Sequence, residues 1–263
     1  MVSAACSVES PSNGTKTTQE VERFHSATAD LNTMVASMKR NGGIVLQNFL
    51  PISTIDAIEA ELRPYLDGDT PWDGKAFPPQ IRRVTGALAK SETFRAKLIM
   101  QEQFLAISDA ILGQKTGAWW GTHHVESESK AMIGGSIVFC VRPGAADQPL
   151  HRDDMQWHQK LPAITPEQYE RGRDVSITLF VAGRRLTKEN GATRWCPGSH
   201  LEQSQTPPDE SKAIYAEMDK GDALLMLSSC YHGGSANITE DEERLVFSAF
   251  SCKGYLRQVC LSD

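Results

Sequence analysis

The sequence predicts an α+β protein in which an antiparallel sandwich or barrel carries helices along one side. Three observations lead there. Before Gly113 the apolar residues recur mostly at helical spacing. After it they fall into short segments rich in β-branched and aromatic residues, separated by turn residues. No internal repeat or low-complexity linker interrupts the interior, so the change near residue 113 reads as a change of layer inside one domain.

Met1 to Glu20 is rich in Ser, Thr, Gly, Pro and Asn and reads as a flexible tail, leaving residues 21–263 as the single domain. From about Gln19 to Arg40 the spacing of Val21, Phe24, Leu31, Met34 and Met38 predicts a helix that Gly42-Gly43 ends. Ile44-Val45-Leu46 follows as a short buried strand. Beyond Pro51, Ser53-Thr54 is placed to cap a helix that turns Ile55, Ile58 and Leu62 to one side. Helical spacing returns over about Ser91–Leu112 through Phe94, Leu98, Phe104, Ile107 and Ile111. Strands are predicted over 117–125, 134–141, 175–181, 223–227 and 244–250.

Composition narrows the function class. A chain of 263 residues buries roughly three quarters of its unfolded surface, so it needs no covalent staple. Its six cysteines are scattered, with no C-x-x-C pair, which fits a reducing compartment. A net charge of −6 argues against a nucleic-acid partner. No apolar run reaches the roughly 18 to 20 residues of a membrane span, and the N-terminus lacks the basic and apolar start of a secretory signal. A soluble cytoplasmic protein is expected.

Chemistry concentrates in Gln148-Pro-Leu-His151-Arg-Asp153-Asp154. In a strand, residues i and i+2 face the same side, so His151 and Asp153 reach one ion together. His232, in Ser228-Ser-Cys-Tyr-His-Gly-Gly234, follows the apolar Leu224–Leu227 and would reach that pair on a second strand. Two imidazoles and a carboxylate on one side of an octahedral iron leave three positions open, the arrangement of non-haem iron(II) oxygenases. H-x-D alone is a frequent chance pattern, and the chain has seven histidines to draw on. Arg244 opens the apolar segment 244–250. It reads either as a guanidinium entering the same core to pair with a carboxylate, or as a surface partner of Glu240, Asp241, Glu242 or Glu243. The four residues together fit a site for a metal and a diacid.

Gln148-x-x-His151-x-Asp153, then Glu189-Asn-Gly-Ala-Thr193, Pro197-Gly-Ser-His200, His232 and Arg244 resemble the phytanoyl-CoA dioxygenase family of Fe(II)- and 2-oxoglutarate-dependent oxygenases. The resemblance runs from roughly residue 40 to 258 and is strongest to the fungal branch that tailors alkaloids and meroterpenoids, verruculogen-synthase-like proteins included. It implies a double-stranded β-helix, the jelly-roll or cupin-like core, under an N-terminal helical layer. It implies Fe(II) on His151, Asp153 and His232, and 2-oxoglutarate on Arg244 with Thr193 and Gln148 as polar partners. With O₂, such a site would hydroxylate, desaturate, epoxidise or form an endoperoxide on an apolar polycyclic natural product. The alternatives are a hydroxylase of an acyl-CoA or small polar metabolite, or a non-catalytic jelly-roll binding protein.

The sequence stops soon after Gly254–Gln258, where family members often continue, so a thin pocket wall or one completed in a homodimer is expected. No tyrosine lies between Arg244 and Phe250, which removes a tyrosyl relay on that strand. A carboxylate at Asp153 argues against halogenation.

Other residues have competing readings. Met132, Phe139, Met155 and Trp157 read as pocket walls or as core. His158 reads equally as a substrate contact or a loop hydrogen-bonder. His123-His124 beside Trp119-Trp120 reads as a packed strand near the pocket, since neighbours on a strand face opposite sides. His200 reads as structural. Gly113–Gly117 and Gly233-Gly234 lack the context of a phosphate-binding loop.

Overall fold

The computed structural model describes residues 21–70 and 78–257, so the tail expected over Met1–Glu20 lies outside the described residues. The first expected helix is two elements. Phe24 sits in a strand, β1 (Arg23–His25), which pairs in parallel with β2 (Gly43–Gln47) on the far side of α1 (Leu31–Asn41). Asp30 sets the helix start: its extended backbone lets the carboxylate accept from the Thr33 amide at 2.9 Å. Gly42 ends it at φ +85, its amide donating to the Met38 carbonyl. A Cβ there would lie 2.2 Å from Cys230 Sγ, so glycine serves both the turn and the packing.

Helix α2 (Ile52–Asp67) begins directly after Pro51 with no side-chain cap, and Ser53-Thr54 lies inside its first turn, not before it. The fixed φ of Pro51 supplies the start that a hydroxyl was expected to supply. Ile55, Ile58 and Leu62 are fully buried. Beyond β3 (Ile81–Thr85) and α3 (Ala87–Lys90), the single helix expected over 91–112 is a π-helical turn, Phe94–Ile99, followed by α4 (Glu102–Leu112). Gln101 makes the break. It is extended, and its side-chain oxygen accepts from the Gln103 amide at 2.7 Å and the Phe104 amide at 3.3 Å.

Residues 117–125 are not one strand but a hairpin. β4 (Gln114–Trp120) folds back through Gly121-Thr122, with Gly121 at φ +61, into β5 (His123–Ser129). The remaining strands are β6 (Ala131–Val141), β7 (Ser176–Ala182), β8 (Thr193–Trp195), β9 (Ile214–Tyr215), β10 (Ala223–Leu227), β11 (His232–Gly234) and β12 (Arg244–Lys253).

Seven strands form one sheet in the order β1-β2-β10-β7-β12-β6-β3, antiparallel except at the β1/β2 edge. A smaller sheet has the order β11-β8-β9. Alternation divides the large sheet. Along β12, Leu245, Phe247 and Ala249 join a core shared with Phe104, Ile107, Met34 and Ile58 of the helices. Arg244 and Phe250 point the other way, into a cavity also lined by Thr193, His232 and Gly234 of the small sheet. Two facing sheets with helices outside one of them form the expected jelly-roll core and helical layer.

Candidate active site

His151 and His232 stand directly opposite each other. Each backbone amide donates to the other's carbonyl at 2.9 Å, which turns both side chains to the same face. β11 can come this close because it carries Gly233, where a Cβ would sit 2.7 Å from the Gln148 carbonyl oxygen. Asp153 reaches the pair differently from the strand geometry expected. It opens a 3-10 turn, Asp153–Trp157, anchored by the Asp154 amide donating to the Ser228 carbonyl at 3.2 Å. The turn swings the carboxylate under both imidazoles, with Nε2 of His151 at 3.5 Å and Nε2 of His232 at 3.4 Å.

The other ring nitrogens are committed. Nδ1 of His151 lies 2.9 Å from the Pro149 carbonyl, and Nδ1 of His232 lies 3.2 Å from the Cys230 carbonyl. A carbonyl only accepts, so Nδ1 carries a proton and Nε2 is the nitrogen left to bind a metal. The Thr178 hydroxyl donates to Asp153 Oδ2 at 3.1 Å and sits 2.9 Å from Ser228 Oγ, fixing the carboxylate's orientation. Burial pushes Asp153 up, but the two histidines outweigh it and hold the carboxyl well below its ordinary range. Burial lowers His151, yet Asp153 and the Pro149 carbonyl raise it overall. One ligand atom from each of the three residues lies within 4.8 Å of the others, a spacing that fits one ion. Asp154 stands apart from this cluster, its carboxyl pushed up to about 6 by burial and by Asp174.

Arg244 is buried, and its guanidinium donates to Thr193 Oγ1 at 2.6 Å. Among the described residues it makes no ion pair, which removes the surface reading with Glu240–Glu243. Burial alone pulls it down to about 10, and its Nε has no hydrogen-bond partner among the described residues. A buried cation without a counter-charge is costly, and an anion entering the cavity would satisfy it. The Gln148 side chain accepts from the Gly234 amide at 3.3 Å, while Arg194 donates to the Gln148 carbonyl at 2.9 Å and holds that segment.

One cavity of about 180 Å³ contains all of this: Gln148, His151, Asp153, Thr193, His232 and Arg244 line it, as does Phe139. A second, of about 330 Å³, adjoins it and shares Ile137, Asp153 and Phe250. Met155 and Trp157 line the second cavity, but Met132 and His158 line neither. Met132 pairs with Cys252 at the far end of β6, and His158 turns into a surface cleft at φ +53. His200 is structural: it is buried, with Nε2 3.0 Å from the Lys39 carbonyl. His123 and His124 lie on the exposed hairpin and not near the pocket. Sequence reasoning missed Thr178, Phe180 and Ser235. All three lie on strands or turns whose facing depends on long-range pairing, so no local signal marked them.

The family described as Phytanoyl-CoA dioxygenase (PhyH) matches residues 38–246, which include every residue of this cluster. The chain belongs to that family. It is a dioxygenase, an oxidoreductase. It is 38% identical to "Dioxygenase peniF" of Penicillium patulum over 238 residues, covering 90% of this chain and 77% of that relative. It is also 38% identical to "Dioxygenase himG" of Aspergillus japonicus over 232 residues, covering 88% and 71%. Among solved structures, the non-heme alpha ketoglutarate dependent epimerase SnoN from nogalamycin biosynthesis superposes with a TM-score of 0.62 at 20% identity, covering 84% and 82%. HygX from Streptomyces hygroscopicus with nickel and 2-oxoglutarate bound gives 0.65 at 15%, covering 88% and 90%. At these identities the solved structures support the fold.

Proposed function

We propose that this dioxygenase uses iron(II), 2-oxoglutarate and O₂ to oxidise an apolar polycyclic natural product. The observation that carries the reading is Arg244. A buried guanidinium with no carboxylate partner among the described residues opens onto the same cavity as two imidazole Nε2 atoms and an ionised carboxylate. His151, Asp153 and His232 hold the iron. Arg244 binds the distal carboxylate of 2-oxoglutarate, and the Thr193 hydroxyl fixes the guanidinium that does so. Gln148 contributes an amide group at the cavity wall, while Phe139 and Phe180 keep water from that end. The chemistry supplied when iron and 2-oxoglutarate are bound is oxidative: O₂ and the keto acid give succinate and CO₂, and the substrate loses a hydrogen atom. Hydroxylation, desaturation and endoperoxide formation would follow from that loss, the last with a second O₂, while epoxidation would follow from oxygen transfer to a carbon–carbon double bond.

An apolar substrate is favoured because Arg244 is the sole Lys or Arg lining the two cavities among the described residues. An acyl-CoA would need further cations for its phosphates. Relatives named as dioxygenases in Penicillium and Aspergillus, and a structural neighbour from nogalamycin biosynthesis, support the same class. Cys140, Cys196, Cys230 and Cys252 are buried and free, which supports a cytoplasmic location, and no described helix is long and apolar enough to cross a membrane. Anaerobic titration with iron(II) and 2-oxoglutarate tests the reading. A weak visible metal-to-ligand charge-transfer band is expected, and a folded sample without one would overturn it.

A further inference from the structure

The cavity-facing side of β7 works as a ruler beside the iron site. Phe180, Thr178 and Ser176 share that side by alternation. Phe180 lines the Arg244 cavity, its ring 5.9 Å from that of His232. Thr178 touches Asp153. Ser176 comes next, about 7 Å farther along the strand, and lines the second cavity. Ser176 is 3% exposed, yet among the described residues its hydroxyl has no hydrogen-bond partner. Nε1 of Trp157, a residue lining the same cavity, is also buried and has no partner among the described residues. Buried polar atoms are ordinarily paired, so two unpaired ones on one cavity point to a polar group brought in from outside.

Across the same sheet, two strands over from β7, the cavity is kept open on β6. Phe250 of β12 pairs with Gly135 and Ser251 with Ile133, so the register skips Gly134 and β6 bulges there. A Cβ on Gly135 would meet nothing closer than the Phe250 ring at 3.8 Å, an ordinary contact. Glycine is therefore not demanded there by packing; its missing side chain leaves volume in the cavity. At about 330 Å³ that volume falls in the range of small-molecule sites.

We infer that this second cavity binds the molecule that is oxidised, and that Ser176 and Trp157 select one carrying a carbonyl or hydroxyl oxygen. That oxygen sits roughly 7 Å beyond the Thr178 level, where the reacting carbon is presented to the Asp153 end. The rest of the molecule is apolar, matching Ile137, Phe250 and Met155. The inference rests on the proposed iron and 2-oxoglutarate reading for its reaction, though not for its binding.

The test uses calorimetry on the anaerobic iron(II)–2-oxoglutarate protein with two rigid apolar probes, 5α-androstan-3-one and 5α-androstane. The wild type is expected to bind the ketone about tenfold more tightly than the hydrocarbon, the size of one neutral hydrogen bond in a dry site. Ser176→Ala removes that preference, and Ser176→Thr, which keeps the hydroxyl, retains it. Gly135→Leu fills the cavity and binds neither probe, yet keeps the charge-transfer band and its 2-oxoglutarate titration. A Ser176→Ala protein with the preference intact, a Gly135→Leu protein that still binds the ketone, or a wild type that binds neither probe overturns the inference. A wild type lacking the band overturns the cofactor reading instead, and ketone binding to that same sample still decides the cavity.

Discussion

The turn after His151 and the β4–β5 hairpin use the same kinds of residue to opposite ends. The first holds His151, Trp157 and His158; the second holds Trp119, Trp120, His123 and His124. In the hairpin Trp119 is 71% and Trp120 82% exposed, and among the described residues the two strands pair only with each other. His124 lies edge-on to Trp119 at 5.2 Å and across Gly117, where a Cβ would sit 2.4 Å from its Nε2. Its ring packs on its own hairpin. His151, by contrast, is bonded through its backbone to His232 and through Nδ1 to a carbonyl, with a carboxylate facing its free nitrogen. A histidine becomes a ligand when its second nitrogen is committed and its first faces other donors.

Breaking the interior cluster should give the largest effect. Asp153→Ala leaves two imidazoles without the carboxylate, and succinate production is expected to fall to the level measured without protein. Undiminished turnover would place the metal elsewhere. Arg244→Ala is the next test. The concentration of 2-oxoglutarate needed for half-maximal charge-transfer signal should rise on the order of 100-fold, the scale of losing a charge-assisted bidentate contact. Iron affinity measured without 2-oxoglutarate should stay put. An unchanged 2-oxoglutarate requirement would move the diacid site away from Arg244.

Arg244 also sharpens the contrast through stability. In the ligand-free protein its charge is buried and unpaired, pulled down to about 10 by burial. Arg244→Met replaces it with an apolar chain of similar length, and the ligand-free protein is expected to unfold later, by about 1–4 kcal/mol. Ligand-induced stabilisation by 2-oxoglutarate should disappear in the same variant. A variant less stable than wild type would mean that the Thr193 contact outweighs the cost of the buried charge.

Thr178→Val keeps shape and removes one hydroxyl. Iron affinity should fall about 10- to 100-fold, typical for the loss of a hydrogen bond behind a ligand. Equal affinity would show that the backbone turn alone aims Asp153.

This residue also marks where the sequence stopped being legible. His151, Asp153, His232 and Arg244 could be named because each stands in a local pattern: an i/i+2 pair, a histidine after an apolar strand, an arginine opening one. Their convergence depends on β11 meeting the His151 segment and β12 lying between β6 and β7, pairings between distant parts of the chain. Thr178 and Ser176 read locally as two small polar residues in an apolar strand. Only the register across the sheet shows that they face Asp153 and the second cavity. The same limit explains the errors. Gln101 and Asp30 divided helices by capping the next turn with their own side chains, and apolar spacing does not reveal which polar residue will do so. From sequence the hairpin reads as a packed strand because Trp and Val raise strand propensity whether or not anything covers them.

The hairpin supplies the smallest effect and the cleanest control. Replacing both His123 and His124 with alanine removes two of the chain's seven histidines, so any loosely held metal that depends on histidine count would be lost with them. Geometry says otherwise. Neither ring belongs to the His151–Asp153–His232 cluster, and the His124 ring packs against Trp119 and over Gly117 of its own hairpin. Iron affinity, charge-transfer intensity and succinate production should match wild type, and the midpoint of unfolding should move by no more than about 0.5 kcal/mol, as for other exposed positions. A fall in iron affinity would mean that the hairpin reaches the site in solution, and the two regions would then have to be treated as one.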